Sequence, residues 1–93
     1  MNTPHTIKLD DIIPDYGILH QEELIRHATE AIENRRKTSA MWRGYVEEFK
    51  VSNPEISANY SELAKYEENQ IAELEKEIAA AREIIQKRVG VTP

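Results

Sequence analysis

A single proline, Pro54, interrupts the long central part of this sequence between residues 18 and 89. Proline lacks the backbone N–H and its ring clashes with the preceding helical turn, so a helix cannot run straight through it. Apolar residues recur at three- and four-residue steps on both sides of Pro54, which is the period of a helix. Two helices of similar length joined by a short connection pack antiparallel. The sequence therefore predicts an all-α fold, an antiparallel two-helix hairpin.

Local signals around Pro54 and at the C-terminus predict where the helices end. Ser52 and Glu55 have the spacing of a capping box, and Pro54 suits the first turn of the second helix. Gly90 is expected to be the C-cap of that helix. The predicted organisation is an arm at residues 1–17 and a hairpin at 18–93, with a helix over about 18–50, a turn over 51–54 and a helix over about 55–89.

The N-terminal segment, residues 1–17, differs in composition from the rest of the chain. It is acidic and is punctuated by Pro14 and Gly17. A short turn over 10–13, ended by Pro14, and a second turn over 15–17 are expected. Its few aliphatic side chains cannot form a core of their own, but they could lie along the hairpin. The segment is therefore predicted to be an extended arm with a short turn.

Polar residues interrupt both apolar stripes at the same level of the predicted hairpin. Arg35 and Ser39 interrupt the first stripe, and Glu67 and Gln70 interrupt the second. Folding at Pro54 brings these positions together, and Arg35 with Glu67 is the expected pair. A polar layer of this kind can fix register or oligomeric state. Simple partial exposure to solvent is the alternative, and the sequence leaves both open.

The length and the net charge of the chain limit its possible folds and partners. Ninety-three residues make one domain, and a lone hairpin of this size has a thin core, so self-association into a dimeric four-helix bundle is expected. The net charge is −5 and the sequence pI is about 5.2. Nucleic-acid binders are usually basic because phosphate neutralisation supplies much of their affinity. The acidic balance therefore disfavours nucleic acid and fits a basic protein surface better as partner. Ordinary solubility of an acidic chain is the preferred interpretation of the charge itself.

The absence of cysteine and the hydropathy pattern indicate the cellular compartment to expect. The chain has no cysteine, which excludes a disulfide scaffold, a thiolate metal site and a thiol nucleophile. No basic segment followed by an apolar run opens the sequence, and no stretch approaches about 18 consecutive apolar residues. The expectation is a cytoplasmic protein, or one in the host cytosol if a phage or mobile element encodes it, with no membrane contact.

Motifs that could carry chemistry are weak. His20, Glu23 and His27 share one helical face, but the two histidines are about 10.5 Å apart in helical rise, too far to share one ion. A solvated helix face is the preferred interpretation, so no metal is predicted. Three glycines cannot build a phosphate-binding loop, and no serine has a nearby histidine as base. The sequence predicts no catalytic residue, no cofactor and no enzymatic activity.

One cluster combines basic and aromatic residues. Trp, Tyr and Arg are the residue types that dominate interface hot spots. The alternative is that the cations are ordinary solvated positions beside a buried Trp42. The predicted partner-binding residues are Arg35, Arg36, Lys37, Trp42, Arg43, Tyr45 and Phe49.

The leading functional hypothesis is a non-enzymatic protein-interaction module, such as a small inhibitor or accessory factor that binds a larger protein. Nucleic-acid or nucleotide binding through the basic cluster is the alternative. A third hypothesis comes from Trp42-Arg43-Gly44, which resembles the WxG tripeptide of small helical-hairpin secretion substrates. That resemblance implies export. The sequence departs from the family because the stronger turn signal lies at Ser52 to Glu55 and because residues 81–93 contain no tyrosine. Gly44 itself predicts a bend or the close approach of another backbone.

Overall fold

The computed structural model describes residues 16–90, which form two α-helices packed against each other. Helix α1 spans Tyr16–Phe49 and helix α2 spans Pro54–Gly90, with 34 and 37 residues. No strand occurs between residues 16 and 90. The predicted all-α pair of helices is confirmed. The predicted arm at 1–17 and its short turn at 10–13 fall largely outside the described residues.

Both outer ends of the hairpin differ from the prediction. Helix α1 already includes Tyr16 and Gly17, which the sequence assigned to a turn. A Cβ built on Gly17 would lie 2.8 Å from the guanidinium carbon of Arg88, so the start of α1 lies beside the end of α2. The prediction that Gly90 is a C-cap is wrong, since Gly90 is helical and no glycine in 16–90 has a positive φ. Lys87 and Arg88 suit the last turn through the helix dipole.

The connection between the helices is closed by Asn53. Its side-chain Oδ1 accepts a hydrogen bond from the backbone N–H of Ile56 at 3.2 Å. Its carbonyl accepts the first intrahelical bond, from the N–H of Ser57, at 3.0 Å. The capping role predicted for Ser52 is therefore wrong. Pro54 is the first helical residue, so the N-cap must be the residue immediately before it.

The seam between α1 and α2 buries few hydrophobic side chains in the described residues, and three of the five are alanine. No large side chain in 16–90 is fully buried, and the large hydrophobics that remain exposed run from Tyr45 at 36% to Val51 at 90%. A hairpin of this kind gains little from its own core. The buried hydrophobic residues are Ala28, Ile32, Ala64, Ile78 and Ala81.

Gly44 lies on the outside of α1. A Cβ built on it would meet nothing within 4 Å among residues 16–90, so no other backbone in that range approaches it. The expectation of close approach is therefore wrong for residues 16–90. Gly44 is an unoccupied side-chain position in a helix interior, where glycine is less favourable than alanine.

The Gly44→Ala variant is expected to raise the free energy of unfolding by about 0.5–1 kcal/mol, because alanine restricts the unfolded chain and adds no clash. Urea denaturation followed by circular dichroism measures the change. The reverse substitution at exposed Ala40, one turn earlier, is the control and should lower the free energy by a similar amount. A loss of stability in Gly44→Ala would mean that a Cβ at this position is obstructed.

Candidate interaction surface

One side of the hairpin is covered by cross-helix ion pairs, and we call it the ionic face. Arg36 Nη2 donates to Glu75 Oε2 at 3.2 Å. Arg43 donates to both carboxylate oxygens of Glu68, from Nε at 3.0 Å and from Nη2 at 2.9 Å. These side chains recur at seven-residue spacing, so each helix presents one row to this side. The ionic face consists of Thr29, Arg36 and Arg43 in α1 and Ser61, Glu68, Glu75 and Arg82 in α2.

The electrostatics of the ionic face favour its paired state. The hydrogen bond from Arg43 lowers the pKa of the Glu68 carboxyl group, and burial opposes this in part. The same hydrogen bond raises the pKa of Arg43. Both groups therefore stay charged at neutral pH. Because these side chains are 43% and 45% exposed, solvent screens the pair and its contribution to stability is small.

A polar layer crosses the seam near the middle of the hairpin. Arg35 Nη1 donates to Glu67 Oε1 at 2.9 Å, which confirms the pair predicted from the sequence. The Glu67 side chain is only 15% exposed, and that of Arg35 is 34% exposed. Ser39 is 7% exposed and donates from Oγ to Glu68 Oε2 at 3.2 Å. Each of these polar groups has a partner inside the hairpin.

The opposite side of the hairpin carries apolar side chains, and we call it the apolar face. Leu24 and Ala31 of α1 line one groove of about 490 Å³ together with Leu74 and Glu77 of α2, and His20, Glu23 and His27 also line it. Seven-residue steps from these positions extend both rows along the hairpin. Glu77 is the single charged member of the face. The apolar face consists of Leu24, Ala31, Thr38 and Tyr45 in α1 and Ile56, Leu63, Gln70, Glu77 and Ile84 in α2.

Aromatic rings gather at the turn end of the hairpin around Tyr60. Trp42 stacks on Tyr60 with ring centroids 5.5 Å apart, and Phe49 stacks on it at 6.0 Å. Tyr45 lies 5.0 Å from the same ring. The sequence prediction omitted Tyr60 from the contact region. Matching positions across the turn would have identified it, because Tyr60 falls opposite the aromatic stretch of α1.

The residues predicted to bind a partner do not share one surface. Each of the four cations pairs with a carboxylate of the hairpin, including Lys37, which lies 3.6 Å from Glu33 on the exposed outside of α1. Of the seven, Arg35, Trp42 and Phe49 lie along the seam, Arg36 and Arg43 on the ionic face, Lys37 on the outside and Tyr45 on the apolar face.

The described residues contain no cluster of metal ligands and no helix that could span a membrane. Between residues 16 and 90 no three His, Asp or Glu side chains converge closely enough to hold an ion. His27 Nε2 lies 3.2 Å from Glu23 Oε1, and Arg26 also contacts that carboxylate and lowers its pKa by hydrogen bonding. Neither helix within this range has the length and apolar content that a membrane span requires.

A two-helix hairpin hosts many unrelated functions, so its architecture does not indicate one. The function of this chain has to be inferred from its two faces. Comparison with known proteins adds no relative: no family model matches the chain, and no curated protein and no solved structure is significantly similar to it.

Proposed function

We propose that this chain is a non-enzymatic protein-interaction module that pairs with a second copy in a four-helix bundle and, in that form, binds a larger protein as an inhibitor or accessory factor. The observation that carries the proposal is the uncovered apolar face. Tyr45, Ile56, Leu63 and Ile84 are 36%, 37%, 44% and 42% exposed on it. Contiguous apolar surface on a small chain marks a site of association.

The energetics of a single hairpin support pairing. Its buried hydrophobic set is three alanines and two isoleucines, and a two-helix layer encloses few large side chains. Burying a Leu or Ile side chain fully contributes roughly 1.5–3 kcal/mol. A second hairpin laid on the apolar face supplies the missing layer, as in a four-helix bundle.

The placement of the polar groups supports a non-enzymatic role. Ser57 donates to the backbone carbonyl of Val46 at 2.7 Å, and Ser39 donates to Glu68. Arg43 pairs with the same Glu68. These groups hold the two helices together and do not converge around a substrate-sized site. Their interactions are those of a scaffold.

The charge of the chain supports a partner with a basic surface. The net charge is −5, and the outer sides of both helices carry most of the carboxylates. Complementary charge accelerates encounter and fixes orientation. Nucleic-acid binding through Arg35, Arg36, Lys37 and Arg43 has less support, because each of these cations already pairs with a carboxylate.

The Leu63→Glu variant tests the proposal. The wild type is expected to have a native mass of twice 10.8 kDa by light scattering. Leu63→Glu should be monomeric, with a dimer dissociation constant raised by roughly 100-fold or more, because each copy would bury an unpaired charge. Ala58→Glu adds the same charge at an exposed position outside both faces and should leave the dimer intact.

The larger partner is tested with the same pair of variants. A protein captured by the wild type from the source cell is purified and titrated with each variant. The proposal expects binding to wild type and to Ala58→Glu that weakens with salt. Binding to heparin or DNA in place of a protein, lost in Arg36→Glu/Lys37→Glu, would overturn it in favour of nucleic acid. A monomeric wild type would overturn the pairing.

A further inference from the structure

Glu77 is the one charged residue of the apolar face, and it is exposed in the single hairpin. It lines the groove of about 490 Å³ together with Leu24, Ala31 and Leu74. Among residues 16–90 its carboxylate forms no ion pair and accepts no side-chain hydrogen bond. The charge of Glu77 is therefore stabilised by solvent and not by a partner within the described hairpin.

The residues around Glu77 in α2 explain why its carboxylate is unpaired. A helical side chain meets the residues three and four positions away on either side. For Glu77 these residues are Glu73, Leu74, Ala80 and Ala81. None of them is a cation, and Glu73 is a like charge that accepts a hydrogen bond from Lys76 at 3.2 Å.

Helix α1 contributes no permanent cation to the same groove. Its charged and titratable residues there are His20, Glu23 and His27. Glu23 is bound by Arg26, and His27 Nε2 lies 3.2 Å from Glu23 Oε1. Histidine side chains are commonly neutral at about pH 7.5. The carboxylate of Glu77 therefore has no counter-charge in the groove at that pH.

We infer that Glu77 limits the affinity of the proposed pairing, because a second copy that covers the apolar face takes this unpaired carboxylate out of water. The inference rests on the proposed pairing. It applies whichever direction the second copy takes, since each copy brings its own Glu77 into the interface. An uncharged carboxyl group leaves water at a lower cost than a carboxylate. The pairing should therefore be stronger in mild acid than at neutral pH.

The sign of this pH effect follows from the protons bound in each state. Covering Glu77 favours its uncharged form, so the dimer binds more protons than two separate hairpins. Association is then favoured as the pH falls. Protonated His20 and His27 would add positive charge in the same groove, which acts in the same direction. The effect is expected between about pH 7.5 and about pH 5.5, where an exposed glutamate is still mostly charged.

The Glu77→Gln variant tests the inference. Sedimentation equilibrium at several protein concentrations measures the dimer dissociation constant. At about pH 7.5, Glu77→Gln should lower that constant by roughly 10-fold or more. The constant of the wild type should fall by roughly 10-fold between about pH 7.5 and about pH 5.5, and that of Glu77→Gln by less than about 3-fold.

Glu62→Gln is the matched control. It removes the same charge from a side chain that is 75% exposed and lies outside both faces. Its dissociation constant and its pH dependence should match those of the wild type. Equal strengthening of the dimer by Glu62→Gln and Glu77→Gln would overturn the inference, because the repulsion would then belong to the acidic chain as a whole.

The remaining outcomes separate this inference from the proposed function. A dimer of unchanged or weaker affinity in Glu77→Gln would overturn the inference, while the pairing itself stands. Loss of the pH dependence in His20→Gln/His27→Gln, with the dependence retained in Glu77→Gln, would assign it to the histidines and overturn the inference too. A monomeric mass in the wild type and in Glu77→Gln at both pH values would overturn the pairing as well.

Discussion

The Trp42→Ala variant is expected to lose about 3 kcal/mol of unfolding free energy, the lower end of the range for a core aromatic. Trp42 stacks on Tyr60 and lies 6.2 Å from Tyr45 by ring centroids, so its removal takes the contact surface from two other rings. The whole free energy of unfolding of a small domain is only about 5–15 kcal/mol. The variant should therefore unfold at a lower temperature and a lower urea concentration than the wild type. Urea titration followed by circular dichroism measures the change without relying on tryptophan fluorescence.

Val51→Ala provides the control for Trp42→Ala. Val51 lies in the turn close to the aromatic cluster but is 90% exposed, so its truncation should change stability by less than about 0.5 kcal/mol. Unchanged stability in Trp42→Ala together with loss of the dimer would contradict a structural role. Trp42 would then be an anchor for the second copy.

The Arg35→Met variant is expected to destabilise the hairpin by about 2 kcal/mol. Its partner Glu67 is only 15% exposed and would be left with an unpaired carboxylate. The double variant Arg35→Met/Glu67→Leu removes both charges and should recover wild-type stability or exceed it. A double-mutant cycle by urea denaturation separates the pair interaction from the two single effects.

Lys37→Met is the matched control for Arg35→Met. Lys37 and Glu33 are 73% and 72% exposed, so breaking this pair should change stability by less than about 0.5 kcal/mol. An equal loss of stability in Arg35→Met and Lys37→Met would mean that burial of Glu67 is unimportant.

The parts of the fold that follow from local rules could be predicted from the sequence. Pro54 determines where α1 must stop, and the helical period on either side determines the two helices. Counting outward from the turn brings Arg35 to the level of Glu67. The cap was misassigned because Ser52 and Asn53 are both good N-cap residues. Only the position of Pro54 as the first helical residue distinguishes them.

The candidate surface was harder to predict because neighbours in sequence point in different directions on a helix. Arg35, Arg36 and Lys37 look like one basic cluster, but successive residues are about 100° apart around the axis. They therefore fall in the seam, on the ionic face and on the outside. The sequence alone shows that Leu24, Ala31 and Tyr45 lie beside the main apolar stripe of α1. It does not show which residues of α2 complete the apolar face, because that depends on which flank of α2 packs beside this row of α1.

The alanines of the seam have a consequence for how this chain tolerates change. Ala64, Ala81 and Ala28 are buried, at 0%, 2% and 6% exposed. An alanine side chain is a single methyl group, so truncation at these positions removes little. Substitution by a larger residue is expected to be more destabilising there, because an added methylene forces the helix axes apart. The Arg43–Glu68 contact at 2.9 Å spans those same axes, so its length reports their spacing. An increase in the spacing of the two helix axes would therefore be detected first as a longer or broken salt bridge on the ionic face.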